Sequence, residues 1–176
     1  MEALSLGFSE GWNQTETDWM LMLDNPLNIC IVAEHNNRIA GTATAFCYAK
    51  DVAWIGMVLV DKSLRGQGAG KMLLKYLIDN LQHIESIKLD ATPAGQPLYA
   101  NLGFIEEYKI FRMTITSVKD YTRIPDLNKT QKSEKHNLPE IIKKDKDIFG
   151  TDRSYLLTRL FKNCPEKAFM IKTDQI

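Results

Sequence analysis

The chain has 176 residues, 44% hydrophobic and 25% charged, which is enough for one domain with a proper core plus an appendage, and too little for two full domains. Lys+Arg and Asp+Glu both count 22. With no basic excess and no long single-sign run, nucleic acid and charged-tail partners are set aside, and a small-molecule partner is expected.

No stretch approaches the roughly 18 apolar residues of a membrane span. The opening MEALSLGFSEGW lacks the basic and apolar regions of a secretory signal, so a cytoplasmic location without membrane attachment is expected. Cys30, Cys47 and Cys164 lack CxxC spacing, and His35, His83 and His136 stand singly, so neither a disulfide framework nor a metal site is expected.

EGWNQTETDWMLMLDN reads as a helix, with Thr15 or Thr17 as cap and an acidic first turn. ICIVAEHNNRIAGTATAFCYAKDVAWIGMVLV then reads as three strands, broken at Asn36-Asn37 and Lys50-Asp51 by tight turns. Both alternating sets of the middle strand are at least partly apolar, so helices should cover both sheet faces. Next come Gly66, Gly68 and Gly70, then a helix over 68–82 with Leu73, Leu74, Leu77, Ile78 and Leu81 on one face. SIKLDAT is a short strand, parallel to VAWIGMVLV through the helical crossover. A short helix from about Gln96 to Leu102 stops at Gly103, and FIEEYKIFRMTIT is expected as a final long strand. The expected fold is α/β (α+β), with antiparallel early strands and a central parallel pair flanked by helices.

Past residue 117 the texture changes. A polar connecting segment, 118–140, precedes an appendage, 141–176, with helical periodicity at Ile148, Leu156, Leu157, Leu160 and Phe161 and a short closing strand at 168–172. Some 36 residues cannot hold a core alone, so this piece should pack on the main domain, 1–117, or on a second copy of the chain as a homodimer.

The glycines raise the question of what the backbone approaches. A P-loop is excluded because Met72 follows Gly70-Lys71 where a hydroxyl is needed, and the dinucleotide fingerprint is excluded because the spacing is G-x-G-x-G after several strands. What remains is a strand, a turn and a helix N-terminus with bare N–H groups, which suits a pyrophosphate, or else a tight turn with close helix–sheet packing.

VDKSLRGQGAGKMLL, preceded by IGMVLV and followed by LDAT and LYANLGF, resembles the GNAT superfamily of N-acetyltransferases over the elements from about Trp12 to Ile115. The resemblance implies that Arg65, Gly66, Gln67, Gly68, Ala69, Gly70 and Lys71 bind the pyrophosphate of acetyl-CoA, the co-substrate. It implies that Val58, Leu59 and Val60, on a strand splayed from its parallel neighbour, bond the pantetheine arm. Tyr99 takes the position of the general acid toward the CoA thiolate, its plain alternative being a core aromatic beside Phe104. Thr92 stands where many members carry an asparagine that contacts the cofactor.

Asp90, Asp51 and Glu34 are the carboxylates nearest to a general-base position. GWNQTETDW resembles a subgroup in which Gly-Trp-Asn precedes the second helix, which makes Trp12 and Asn13 acceptor contacts, Trp12 being equally a packing anchor. That subgroup commonly continues into a partial second acetyltransferase-like domain opening like DIFGTDRSYLLTRL, Asp147 to Leu160 here. The implied activity is direct acetyl transfer from acetyl-CoA to a primary amine of a small molecule or peptide. The alternative is a non-catalytic acyl-CoA-binding or regulatory module. A third reading, a nucleotide-phosphate binder, would show affinity for ATP with magnesium and none for CoA.

Overall fold

The computed structural model describes residues 2–115 and 130–171. The chain divides into two compact units, Met1–Glu106 and Glu107–Ile176.

The first unit opens with two helices, α1 (Glu2–Ser9) and α2 (Glu16–Leu23). Helix α1 is absent from the sequence reading, although Ala3, Leu6 and Gly7 fall on one face of it. Helix α2 starts where the sequence places it, and of the two candidate caps it is Thr15 that acts: its Oγ1 accepts from Asp18 N at 3.3 Å, and Asp18 Oδ2 accepts from Thr15 N at 2.7 Å.

Three antiparallel strands follow, β1 (Ile29–His35), β2 (Arg38–Tyr48) and β3 (Val52–Val60). Asn36 and Asn37, at φ 50° and 59°, supply the left-handed pair that a two-residue hairpin with native twist requires. Helix α3 (Ala69–Asn80) then crosses to β4 (Ser86–Leu89), which lies parallel to β3, giving the sheet order β1-β2-β3-β4. The short helix α4 (Gln96–Ala100) ends the unit.

Both sheet faces are covered, as the alternation in β2 predicts. On one face Leu73, Leu74, Leu77 and Leu81 are at most 3% exposed and pack with Ala43, Ala45, Ala53 and Ile55, whose small side chains let the helix come close. Each buried leucine contributes about 1.5–3 kcal/mol. On the other face Leu6, Trp19, Met57 and Leu59 form a second cluster, joined by Trp12 and Met22. Gly41 permits the tightest approach within the sheet, since a Cβ there would lie 2.8 Å from Leu59 O.

The long strand expected over FIEEYKIFRMTIT does not form: residues 104–115 have no strand assignment. The composition favours an extended chain, but a strand also needs a ladder partner, and β4 pairs over only four residues, with β3. Ile105, Phe111 and Met113 are each at least 78% exposed.

In the second unit β5 (Thr130–Lys132) pairs antiparallel with β6 (Phe169–Ile171), and α5 (Leu138–Phe149) and α6 (Ser154–Asn163) stand between them. The expected closing strand and helical periodicity are therefore present, while the expected connecting segment contains β5 and the start of α5; its residues 118–129 lie outside the described ones. Arg153 joins the two helices by donating its Nε to Asp145 Oδ2 at 2.9 Å, with its guanidinium 3.9 Å from the centre of the Phe149 ring. Among the described residues of this unit those buried are Ser133, Asn137 and Thr151, all polar. No helix of the described residues is long and apolar enough to cross a membrane.

Candidate functional site

Strand β3 is paired unequally along its two edges. Its ladder with β2 runs to Val60, opposite Gly41, but its parallel ladder with β4 ends at Ile55, opposite Leu89. From Gly56 to Val60 the β4 side of β3 therefore has no strand neighbour among the described residues, and the two parallel strands fork. Pro93 stands four residues past Leu89, removing one donor from any continuation of β4.

A β-bulge lies at the start of this fork. The register slips between Thr42 and Thr44, and Met57 adopts φ 50°, rare for a residue with a side chain. Gly56 lies beside Thr44 Oγ1 and Met57 joins the Leu6–Trp19–Leu59 cluster, so two successive residues turn to one face. Two buried hydroxyls hold the kink: Thr42 Oγ1 donates to Met57 O at 2.7 Å and Thr44 Oγ1 to Gly56 O at 3.1 Å. The sequence reading missed this bulge, because its only local signal is a pair of threonines at buried strand positions.

Past Val60 the chain makes a 3-10 turn, Lys62–Leu64, capped by Asp61, whose carboxylate accepts from Ser63 N and Ser63 Oγ. Those bonds, from the hydroxyl first, hold the Asp61 carboxyl below its usual range. Gly66 and Gly68 follow with φ 74° and 90°, and Gly68 is the N-cap of α3 without any side-chain cap. The first backbone bond into α3 runs from Met72 N to Gly68 O. The amides from Gly66 to Lys71 thus donate to nothing among the described residues, and apart from the chain beside them none of those residues comes within 4 Å of where a Cβ on Gly66 or Gly68 would stand. This is an array of unpaired N–H groups at the positive end of a twelve-residue helix, where negative charge is favoured. No cluster of three or more His, Cys, Asp or Glu suited to a metal occurs among the described residues.

Gly66 to Lys71 form the amide array. Val58, Leu59 and Val60 lie on the unpaired length of β3, with Leu59 turned into the α1–α2 side and Val58 into the α3 side. Gly70 ties these together, since a Cβ on it would be 3.6 Å from Val60 Cγ2 and 3.7 Å from Leu98 Cδ2, the neighbour of Tyr99 on α4. Tyr99 is half-buried against the α3-side core, edge-on to Phe104 at 6.2 Å, and its hydroxyl makes no hydrogen bond among the described residues. Burial raises its pKa above the usual tyrosine value, so the proton is retained through neutral and mildly alkaline pH.

Thr92 lies in the turn before α4, its Oγ1 accepting from the N-cap Gly95 N at 3.2 Å. Trp12 packs with the Met57–Leu59 cluster, while Asn13 is exposed. The side chain of Arg65 is committed within the protein: Nε donates to Val60 O at 3.0 Å and an Nη donates to Glu10 Oε1 at 2.6 Å. Among the carboxylates, Asp51 precedes β3 at the end remote from Val60, about 30 Å away along an extended strand. Glu34 lies two strands over, opposite Ile39. Asp90 directly follows Leu89, at the mouth of the fork.

A family model agrees with this geometry. Residues 26–106 match an acetyltransferase (GNAT) domain. That stretch holds the whole four-stranded sheet, the glycine turn and α4. An uncharacterised N-acetyltransferase of Bacillus subtilis, YitH, is 32% identical over 106 residues, 60% of this chain and 37% of that protein. L-2,4-diaminobutyric acid acetyltransferase of Halalkalibacterium halodurans is 31% identical over 91 residues, 48% of each chain. The chain spans half or less of the length of these two relatives. Among solved structures, a candidate acetyltransferase of Pyrococcus horikoshii superposes with TM-score 0.70 at 21% identity, over 92% of this chain and 58% of that one. A predicted acetyltransferase of Clostridium acetobutylicum, solved with acetyl-CoA, gives TM-score 0.52 at 22% identity, over 64% of this chain and 85% of its own. These likenesses carry the GNAT fold onto the first unit.

Proposed function

We propose that the protein is a cytoplasmic acetyl-CoA-dependent N-acetyltransferase that moves an acetyl group directly to a primary amine of a small molecule or peptide. The observation that carries the reading is the joining of two features on one short run of chain: a strand edge without a strand neighbour from Gly56 to Val60, where Arg65 Nε reaches only the Val60 carbonyl, and the free amide array from Gly66 to Lys71. A diphosphate satisfies the amides, and the extended pantetheine arm takes the place of the missing strand, its amide groups bonding β3 as a peptide would. Acetyl-CoA supplies an activated thioester when bound there. Tyr99, protonated across the working pH range, donates to the departing thiolate. The amine must be neutral to attack and its nitrogen must lose a proton once the new C–N bond forms, and Asp90 is the carboxylate that the register leaves beside the fork to take it. The bulge at Met57, with Trp12 packed on its face, forms one wall on the acceptor side, to which we also assign Asn13.

An amine acceptor is supported by the two relatives named as an N-acetyltransferase and a diaminobutyric acid acetyltransferase. We divide the chain into an acetyl-CoA-binding core and a C-terminal piece that opens a partial second acetyltransferase-like domain, a reading supported by the Pyrococcus match running over 92% of the chain. The test is release of free CoA thiol with a panel of small amines and peptide amines. Turnover with at least one amine is expected. Tight CoA binding without turnover on any amine would identify a non-catalytic acyl-CoA-binding module, and binding of magnesium-ATP without CoA would refute the reading outright.

A further inference from the structure

Two cations precede the glycine turn in sequence, Lys62 and Arg65, as Lys71 follows it, and an anion-binding turn would ordinarily be expected to present them to its ligand. Both are instead drawn to one carboxylate on α1's C-terminal side. Glu10 Oε1 accepts from an Arg65 Nη at 2.6 Å and lies 3.5 Å from Lys62 Nζ, which itself donates to Ser9 O at 2.8 Å. The remaining reach of Arg65 goes to the end of β3, through Nε to Val60 O. The guanidinium is therefore a strut with one foot on the last residue of the forked strand and one on Glu10, and it stands immediately before Gly66. The Arg65 hydrogen bond is also the first cause holding the Glu10 carboxyl below its ordinary range, so the strut is charged on both sides at neutral pH.

The residues that follow need such a strut. Gly66 and Gly68 lack side chains to anchor them and their amides make no hydrogen bond among the described residues, so the turn is held from within only by a long Gln67 Nε2–Ser63 O bond at 3.5 Å and by the bond from Met72 N to Gly68 O. Glu10 is fixed in turn by α1, whose Leu6 packs with Met57 and Leu59, the bulge and the forked length of β3. One helix thus references both the glycine turn and the strand to the same frame.

We propose that Glu10 is a positioning residue: acting through Arg65, it holds the Gly66–Lys71 turn in the shape that receives the diphosphate of acetyl-CoA. This rests on the diphosphate reading of the turn given above. It also assigns Arg65 a scaffold role in place of a direct phosphate contact. The opposing electrostatic effect makes the proposal sharp, because removing Glu10's charge frees two cations beside the turn and would by itself tighten anion binding.

The experiment compares wild type with Glu10→Gln and Arg65→Lys by titration calorimetry against CoA and against pantetheine, which has no diphosphate. An exposed pair contributes modestly, so Glu10→Gln is expected to weaken CoA about three- to five-fold while leaving pantetheine unchanged. Arg65→Lys, which keeps the charge but not the two-directional reach, should behave alike, and the double variant should lose no more than either single one. Equal weakening of CoA and pantetheine would mean a general structural role, and tighter CoA binding would mean that Glu10 only neutralises charge; either overturns the proposal. A separate measurement needs no ligand: amide order parameters of Gly66, Gly68 and Gly70 should fall from the rigid range toward about 0.6 in Glu10→Gln. Unchanged order parameters would overturn the strut, whereas a wild type that fails to bind CoA while the order parameters fall would overturn the diphosphate reading alone.

Discussion

Replacing Gly68 by valine separates the shape of the turn from its ligand. At φ 90° a β-branched residue is strained, at a cost of about 1–2 kcal/mol for leaving the ordinary backbone regions, although among the described residues nothing but the adjacent chain stands within 4 Å of the new Cβ. For a chain of this size that lowers the melting temperature by about 2–8 °C and leaves it folded. The larger effect falls on the ligand, because the added side chain enters the space where a diphosphate would meet the amides. Losing even one hydrogen bond to a charged group costs about 1.5–3 kcal/mol, so CoA affinity should drop at least 10- to 100-fold. Gly150→Ala serves as the control, since Gly150 has φ 92° at the end of α5 and lies outside the turn. It should show similar thermal loss with unchanged affinity. Calorimetry on samples whose far-ultraviolet circular dichroism matches wild type decides the matter, and unchanged CoA affinity in a folded Gly68→Val protein would place the diphosphate elsewhere.

Tyr99→Phe keeps the edge-on contact with Phe104 and should lower kcat near the bottom of the roughly 10²–10⁴-fold range for general acid catalysis, with CoA affinity unchanged. Because burial raises the Tyr99 pKa, its proton is lost only above the free tyrosine value, so the wild-type rate should show no alkaline fall from this group below about pH 10. Burial likewise raises the thiol pKa of Cys47, and burial followed by the neighbouring Cys47 raises that of Cys30; since the thiolate is the reacting form, both should label slowly with a disulfide reagent at pH 8 and promptly once denaturant is added. Deleting residues 141–176 removes most of α5 and all of α6, whose Ile148 and Leu160 are exposed, and the expected result is lower solubility or a changed oligomeric state by light scattering; a truncated protein of equal solubility, stability and size would refute that expectation.

What the linear sequence determined was whatever short-range physics controls. Alternation and tight-turn residues specified β1, β2 and β3, because Asn36 and Asn37 tolerate the left-handed region whatever surrounds them. Leucines at three- and four-residue spacing specified α3, and the glycine spacing pointed to bare amides at its N-terminus. Residues 104–115 show the limit of that logic: the side chains favour an extended chain, but a strand exists only where another backbone offers its hydrogen bonds. Helix α1 escaped notice because its stabilisation comes from Leu6 docking against Met57 and Leu59, residues some fifty positions later in the chain. The bulge at Met57 and the strut from Glu10 to Arg65 were hidden for the same reason. The left-handed Met57 is held by Thr42 and Thr44, which bond its own carbonyl and that of Gly56, and a carboxylate just past α1 has meaning for the glycine turn only once folding brings side-chain atoms of residues 10 and 65 within 2.6 Å of each other. Local propensity chose the pieces, and the tertiary structure alone decided which of their polar groups would be paired and which left open for a ligand.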